Sequence, residues 1–134
     1  MTVVLDTSAL RAIIFGEDDA EAIMDDLLAR DDELLVSAAT MVEASIVVTA
    51  RRGDDACRRL DSLVDHLGAT THPVDAAQAA RAARAWRRFG KGRHPAGLNY
   101  GDCFSYALAK ETDAALAYKG ENFAQTDIRS AFDE

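Results

Sequence analysis

The chain has 134 residues, of which 49% are apolar and 28% charged, and its formal net charge at pH 7 is −8. This length predicts one folded domain over residues 1–134, and the composition excludes a disordered chain or a membrane protein, because no apolar run approaches the roughly 18 residues of a spanning helix. The acidic charge argues against general nucleic-acid binding, since phosphates repel it. No basic leader precedes Asp6, so we expect a cytoplasmic protein.

The charges are distributed unevenly along the chain. Residues 1–33 hold ten acids and two arginines, whereas residues 51–93 hold ten bases and five acids. A local basic surface is therefore compatible with the acidic average, and an anionic partner is excluded only from the acidic part of the surface.

The first half of the chain alternates short apolar runs with amphipathic segments. Residues 2–5 predict a strand that leads into a helix after Asp6, and residues 18–30 have the spacing of a helix with an acidic outer face. Residues 33–36 predict a second strand. Ser37 is a suitable N-cap for a helix over residues 38–52, which Gly53 ends.

The second half continues the alternation. A helix over residues 54–67, a strand over residues 69–74 and an alanine-rich helix over residues 75–89 are followed by a loop at residues 90–97. Asn99 caps a helix that extends to about residue 112, residues 115–118 predict a strand, and a short element follows at residues 126–128. Strands that alternate with helices predict an α/β fold with a parallel sheet covered on both faces.

The cysteines and histidines offer no site of their own. Cys57 and Cys103 have neither CxxC nor Cys/His spacing, so we expect neither a disulfide framework nor a zinc site. The three histidines lack the spacing that sets two imidazoles on one helical face, so we assign them no catalytic role.

Four acids have positions that suit a common site. Asp6 follows the first strand, Asp102 opens a late helix, Asp127 follows the last strand, and Glu43 interrupts the apolar run ATMVEASIVV. Ligands of parallel sheets gather at the carboxyl ends of the strands. Each acid alone has a simpler explanation, as a helix cap, a capping-box partner or a solvated side chain. Together they would repel one another, and a divalent cation bound by oxygen ligands, Mg²⁺ or Mn²⁺, removes that repulsion.

The segments VVLDTSAL, AATMVEAS, LNYGDCFSYALA and LAYKGENFAQTDI resemble the successive signature blocks of PIN-domain nucleases, and most closely those of VapC-type toxins of toxin–antitoxin pairs. The resemblance covers almost the whole chain. It implies a PIN-like three-layer α/β/α sandwich with a central, mainly parallel sheet of four to five strands. It also implies that Asp6, Glu43 and Asp102 are the principal metal-binding acids and that Asp127 matches the more variable fourth. An RNA substrate, a homodimer and a cognate antitoxin are further implications of the resemblance.

The expected chemistry is hydrolysis of RNA phosphodiester bonds by metal-activated water, with Mg²⁺ or Mn²⁺ as the cofactor. The candidates to orient the acids by hydrogen bonds are the neighbouring hydroxyl groups of Thr7, Ser8 and Thr126. Helix capping explains these residues equally well. The candidates to bind RNA are four arginines of the basic series, Arg84, Arg87, Arg88 and Arg93. The alternative is that they form a solvated helical face.

Two alternative functions remain open from the sequence alone. The first is a PIN nuclease that is not a toxin, and the second is a PIN-like module that binds RNA or protein without cleaving it. Other aspartate enzymes of α/β architecture fit less well, because aspartyl phosphatases need a second aspartate where Ser8 stands.

Overall fold

The computed structural model describes residues 1–132. Its strands are β1 (Thr2–Leu5), β2 (Glu33–Ser37), β3 (Thr70–His72) and β4 (Ala115–Ala117). Its helices are α1 (Thr7–Phe15), α2 (Ala20–Ala29), α3 (Ala38–Arg52), α4 (Asp54–Leu67), α5 (Ala76–Phe89) and α6 (Tyr100–Glu111), with a 3-10 helix at Phe123–Gln125. None of the helices within residues 1–132 is both long and apolar enough to cross a membrane.

The four strands form one parallel sheet in the order β3-β2-β1-β4. In the register of the two central pairings, Val4 of β1 lies beside Leu35 of β2 and Leu116 of β4. Because all strands run in the same direction, their carboxyl ends meet at one edge, and the residues after β1 and β4 are neighbours there.

Apolar side chains on the two faces of the sheet pack against different helices. Val3 and Leu5 belong to the core that includes residues of α1 to α4. Val4, Leu35 and Leu116 belong to the core that includes residues of α5 and α6. This alternation along a strand follows from the period of two in strand geometry. The predicted three-layer α/β/α sandwich with a sheet of four strands is therefore confirmed.

The boundaries of α3 and α4 follow local capping signals. The Ser37 hydroxyl accepts a hydrogen bond from the backbone N–H of Ala39 at 3.2 Å, and α3 begins directly after Ser37, at Ala38. Gly68 ends α4 in the left-handed conformation, with φ 70°, which glycine adopts without steric cost. The predicted helix ends at residues 52 and 67 are confirmed.

The structure differs from the predictions in two places. β3 spans only three residues of the predicted 69–74, because it lies at the sheet edge and Pro73 has no N–H to extend the ladder. After β4, the 3-10 helix precedes residues 126–128, and only an isolated bridge between Leu116 and Ser130 continues the sheet. This difference decides where Asp127 lies.

Candidate active site

Asp6 lies at the carboxyl edge of the sheet, directly after the central strand β1. Its backbone N–H donates to the carbonyl of Ala117 at 3.0 Å, which fixes Asp6 between the ends of β1 and β4. Its side chain caps α1 and is only 3% exposed. A carboxylate at this depth is stable only if its oxygens are hydrogen-bonded or bound to a cation.

Hydroxyl groups from two helices hold the Asp6 carboxylate. Oδ2 accepts from the backbone N–H of Ser8 at 3.0 Å and from its Oγ at 2.6 Å. Oδ1 accepts from Ser105 Oγ at 2.6 Å, and this hydroxyl lies 3.2 Å from Thr40 Oγ1. Ser105 and Thr40 are fully buried. The buried pair therefore connects α3 and α6 to Asp6 and fixes the direction of its carboxylate.

Glu43 reaches the same edge from α3. Its Oε1 accepts a hydrogen bond from Thr7 Oγ1 at 2.5 Å. On its other side is Gly101, at the start of α6, and a Cβ atom at position 101 would overlap the Glu43 carboxylate. The absence of a side chain at Gly101 thus lets the carboxylate lie against the backbone of α6.

Asp102 has two roles at the start of α6. Its Oδ2 accepts from the backbone N–H of Asn99 at 3.0 Å, and its own N–H donates to Asn99 Oδ1 at 2.9 Å, so the two residues form a capping box. Burial is the main cause that raises the pKa of Asp102, and the negative charges of Asp6 and Glu43 also raise it. The hydrogen bonds from Asn99 and Asn122 lower it, and the net result is a pKa of about 6. Glu43 lies against Gly101, directly before Asp102, and Asp6 is hydrogen-bonded to Ser105, three residues after Asp102, so the three acids are neighbours.

The three acids, hereafter the acid cluster (Asp6, Glu43 and Asp102), fit a divalent cation by their chemistry. Their donors are all oxygens. Burial is the main cause of the raised pKa of Asp102, and the charges of Asp6 and Glu43 add a repulsion that a cation would relieve. Within residues 1–132 no three His, Cys, Asp or Glu side chains already converge as ligands around one point. Asp6 and Glu43 are instead hydrogen-bonded to separate hydroxyl groups, those of Ser105 and Thr7.

Asp127 does not join the acid cluster, and its predicted place there is corrected. Its Oδ1 accepts from Tyr106 Oη at 2.6 Å, and its Oδ2 lies 3.2 Å from Lys110 Nζ and 3.4 Å from Arg88 Nη1. Partial burial alone would raise the pKa of Asp127, but the hydrogen bonds from Tyr106 and Lys110 and the nearby positive charges hold it below its ordinary value. The 3-10 helix after β4 carries the chain to this position along α6.

The hydroxyl residues also divide. Thr7 and Ser8 donate hydrogen bonds to acids of the cluster, and Ser8 Oγ also accepts from the backbone N–H of Lys119 at 2.9 Å. Thr126 does not orient an acid: its Oγ1 donates to Phe123 O at 2.7 Å and accepts from Ile128 N at 3.2 Å. Thr126 therefore stabilises the local turn, and its predicted role is corrected.

The basic series on and after α5 divides into two surfaces. Arg84 and Arg88 line a pocket between α5 and α6. Arg93 instead donates from Nε to the carbonyl of Arg87 at 3.0 Å and lies over the ring of Trp86, 5.2 Å from its centroid. The four predicted RNA-binding arginines thus do not form one patch.

Sequence reasoning missed several residues of the site, among them Ser105, Asn122 and Gly101. Ser105 had the appearance of a packing position within a mostly apolar helix, and Asn122 that of a loop residue. Gly101 offered a signal, since a glycine inside a helix costs roughly 1 kcal/mol relative to alanine and often marks a close approach. The glycine in the segment YGDC thus indicated a close contact at position 101, directly before Asp102, and the structure shows that this contact is with Glu43.

Comparisons with known proteins identify the family to which this architecture belongs. Residues 3–129 match the PIN domain. Ribonuclease VapC of Mycolicibacterium smegmatis is 48% identical over 126 residues, which cover 94% of this chain and 97% of the relative. Ribonuclease VapC30 of Mycobacterium tuberculosis is 45% identical over 126 residues, which cover 94% and 95%. The chain belongs to the VapC ribonucleases of the PIN-domain family.

Solved structures support the fold of this PIN domain. The crystal structure of Mycobacterium tuberculosis VapC20, a toxin that cleaves the sarcin-ricin loop, has a TM-score of 0.78 at 14% identity and covers 94% of this chain and 95% of that one. VapBC2 from Rickettsia felis, bound to a promoter DNA fragment, has a TM-score of 0.75 at 14% identity with coverage of 97% and 96%. At these identities the likeness concerns the fold of the PIN domain alone.

Proposed function

We propose that this chain is a metal-dependent endoribonuclease and the toxin of a toxin–antitoxin pair. The observation that carries the proposal is the acid cluster at the carboxyl edge of the sheet, in a PIN domain 48% identical to a ribonuclease VapC. The RNA substrate, the metal and the antitoxin are parts of the proposal.

In this proposal Asp6, Glu43 and Asp102 hold Mg²⁺ or Mn²⁺. When bound, such an ion supplies Lewis acidity that stabilises charge on a phosphodiester and lowers the pKa of water. Asp6 and Asp102 come from the ends of different elements, so the fold itself sets their separation. Asp127 is not among the proposed ligands, because its oxygens are already bound to Tyr106, Lys110 and Arg88.

The residues around the acids contribute orientation. Ser8 and Ser105 donate to opposite oxygens of Asp6, which prevents the carboxylate from rotating. Thr7 restrains Glu43 in the same way. Hydrogen bonds of this kind to metal-binding side chains typically change metal affinity or activity by about 10- to 100-fold. Their proposed role is to keep the acids in place while the negative charge of the cluster is uncompensated.

Cleavage of RNA tests this function directly. Purified chain is incubated with total cellular RNA with Mg²⁺, with Mn²⁺ and with EDTA, and new RNA ends are mapped by sequencing. We expect metal-dependent ends at few sites with the wild type. Asp102→Asn should lack them, whereas Asp61→Asn, which removes an exposed acid of α4, should match the wild type. Metal-dependent cleavage by well-folded Asp102→Asn would refute the assignment, and absence of cleavage by the wild type would favour a binding module.

The proposed antitoxin fits a groove beside Glu43. A pocket of about 230 Å³ between α3 and α6 is lined by this acid and by apolar side chains. Val42 and Ile46 on its rim are 60% and 63% exposed, which is unusual for large apolar residues. A partner segment that carries a basic residue next to apolar ones would pair with Glu43 and cover this surface. A toxin–antitoxin complex from Klebsiella pneumoniae is among the solved structures with a similar fold.

Growth of a bacterial host separates a toxin from another PIN nuclease. We expect expression of the wild-type chain to stop growth, Asp6→Asn to remove the effect, and co-expression of the adjacent gene's product to restore growth. Toxicity that survives Asp6→Asn would show that inhibition does not arise from the acid cluster. Normal growth with soluble, active wild type would leave an RNA-cleaving enzyme that is not a toxin.

The proposed homodimer has a candidate surface at Trp86 and Tyr100. Both side chains are exposed, and they line an apolar pocket of about 510 Å³ between α5 and α6. Light scattering measures the mass in solution, with Trp86→Ser as the variant expected to yield monomers. A wild-type monomer at micromolar concentration would contradict the dimer.

A further inference from the structure

A pocket of about 270 Å³ lies between α5 and α6, separate from the acid cluster, and is hereafter the α5–α6 pocket. It is lined by four basic residues, two alanines and a tyrosine: Arg81, Arg84, Arg88, Lys110, Ala85, Ala107 and Tyr106. The basic residues come from both helices, so the fold gathers them from distant positions of the chain. Alanine walls lower the local polarity and strengthen the attraction of the cations for an anion.

Two of these cations converge on one oxygen atom. Arg88 Nη1 and Lys110 Nζ lie 3.4 Å and 3.2 Å from the same Oδ2 of Asp127, while Tyr106 binds the other oxygen. Arg and Lys arranged around one anionic oxygen are the donor set that also binds a phosphate oxygen. Asp127 is thus an internal anion in contact with the pocket.

The pocket keeps an excess of positive charge despite this carboxylate. Glu111 lies 3.9 Å from Arg81 and, with Asp127, offsets two of the four positive charges. Among residues 1–132 no ion pair or hydrogen bond engages the Arg84 side chain. The region therefore carries about two uncompensated positive charges in a chain whose net charge is −8.

The sequence of α5 makes an ordinary solvated face a poor explanation. The helix contains four arginines and no acid, so i,i+4 ion pairs along it are impossible. Arg84 and Arg88 are a like-charge i,i+4 pair, which destabilises an isolated helix by roughly 0.2–0.5 kcal/mol. A bound anion would reverse that repulsion.

The α5–α6 pocket is also aligned with the acid cluster. Asp102, Tyr106 and Lys110 are spaced by four residues along α6 and so follow one side of the helix. From Asp102 to Lys110 the helix rises about 12 Å. A single nucleic-acid strand that presents one phosphate at the acid cluster can therefore present another at the pocket.

We propose that the α5–α6 pocket binds a phosphate group of the single-stranded RNA substrate, and that Asp127 occupies the cations Arg88 and Lys110 until RNA displaces it. This inference rests on the proposed function, because RNA is the substrate it assumes. It assigns Arg81 and Lys110 to RNA binding. It removes Arg87, which is not among the residues that line the pocket, and Arg93, which lies over the ring of Trp86. Asp127 becomes a residue that weakens RNA binding rather than a ligand of the metal.

Binding of a labelled single-stranded RNA oligonucleotide in EDTA, followed by fluorescence anisotropy, tests the pocket without cleavage. Arg84→Gln and Arg87→Gln form a matched pair, since both remove one exposed charge from α5 and lie one turn apart. We expect Arg84→Gln to weaken binding about tenfold and to reduce the salt slope by about 0.7, and Arg87→Gln to change affinity less than about twofold. Equal effects would show a diffuse attraction and overturn the pocket.

Asp127→Asn should change RNA affinity in the opposite direction from Arg84→Gln. The amide oxygen can still accept from Tyr106, but the charge that occupies Arg88 and Lys110 is removed. We expect RNA to bind about threefold tighter or more. Weaker binding by this variant would overturn the proposal.

Competition experiments separate RNA from other anions. We expect neither inorganic phosphate nor an acidic peptide, at the micromolar concentrations used for RNA, to displace the oligonucleotide. Displacement by phosphate would identify a small-anion site, and displacement by the peptide a protein-binding site; either result overturns the RNA assignment. The proposed function is judged separately: cleavage with unchanged binding by Arg84→Gln removes this inference alone, whereas Arg84-dependent binding without metal-dependent cleavage removes the enzyme assignment alone.

Discussion

The acid cluster and the surroundings of Asp127 contain the same chemical group in opposite environments. At the carboxyl edge, burial and the charges of Asp6 and Glu43 raise the pKa of Asp102 to about 6. Along α6, hydrogen bonds from Tyr106 and Lys110 lower the pKa of Asp127 despite its partial burial. Among residues 1–132 no lysine or arginine forms an ion pair with the acids of the first site, which therefore attracts a cation, whereas Asp127 of the second site already has cationic partners. The two aspartates thus acquire opposite roles from their neighbours.

The cleavage rate gives the largest expected difference between these two regions. Asp102→Asn should lower the rate by about 100-fold or more, because a neutral amide is a weaker metal ligand of the same size. Asp127→Asn should lower it by less than about tenfold at saturating RNA. Rates are measured with Mn²⁺ on one cleavable oligonucleotide, and circular dichroism checks the fold. A greater loss with Asp127→Asn would return that residue to the metal site.

Ser105→Ala sharpens the comparison by weakening the support of Asp6 while keeping the acids themselves. Removal of this buried donor leaves one Asp6 oxygen without its 2.6 Å partner, and we expect Mn²⁺ affinity to fall about tenfold. Calorimetric titration measures the affinity, which a merely structural residue would not change. Ser62→Ala, an exposed serine of α4, is the control. Equal Mn²⁺ affinity in wild type and Ser105→Ala would contradict a positioning role.

The pH dependence of stability without metal gives the smallest effect. Because the folded pKa of Asp102 lies above its unfolded value, its contribution to stability is full below about pH 4 and is lost as pH rises through about 6. Asp102→Asn should therefore stabilise the metal-free protein at pH 7 by about 1–2 kcal/mol, after allowance for solvent screening.

Urea unfolding in EDTA at pH 5 and pH 7 measures this difference. The advantage of Asp102→Asn should shrink at pH 5, where the wild-type carboxyl is largely protonated in the folded state. An advantage that is the same at both pH values would show that ionisation of Asp102 is not its cause.

Most of the fold was predictable because its signals are local. Ser37, Gly53 and Gly68 set helix boundaries through capping and backbone conformation, and the predicted ends of α3 and α4 agree with the structure. The alternation of strands with helices along the chain predicted a sheet covered on both faces, and the two cores confirm it. The sequence predicted the short strand at the edge of the sheet less well, because β3 ends before Pro73.

The site was predictable only in part, because its remaining features depend on contacts between distant residues. Asp127 follows β4 in sequence, but its position depends on the 3-10 helix that directs it towards Tyr106. The link from Ser105 to Asp6 joins residues 99 positions apart. The pairing of Arg84 with Arg88 could have been predicted from the sequence, because residues four apart lie on the same face of a helix.

Binding of Mn²⁺ to three purified variants tests the central claim most directly. The account predicts that calorimetry detects Mn²⁺ binding to the wild type, loses it with Asp6→Asn, and finds it within about threefold of wild type with Asp127→Asn. Folded wild type that binds no Mn²⁺, or binding that survives Asp6→Asn and disappears with Asp127→Asn, would contradict the assignment of the acid cluster as the metal site.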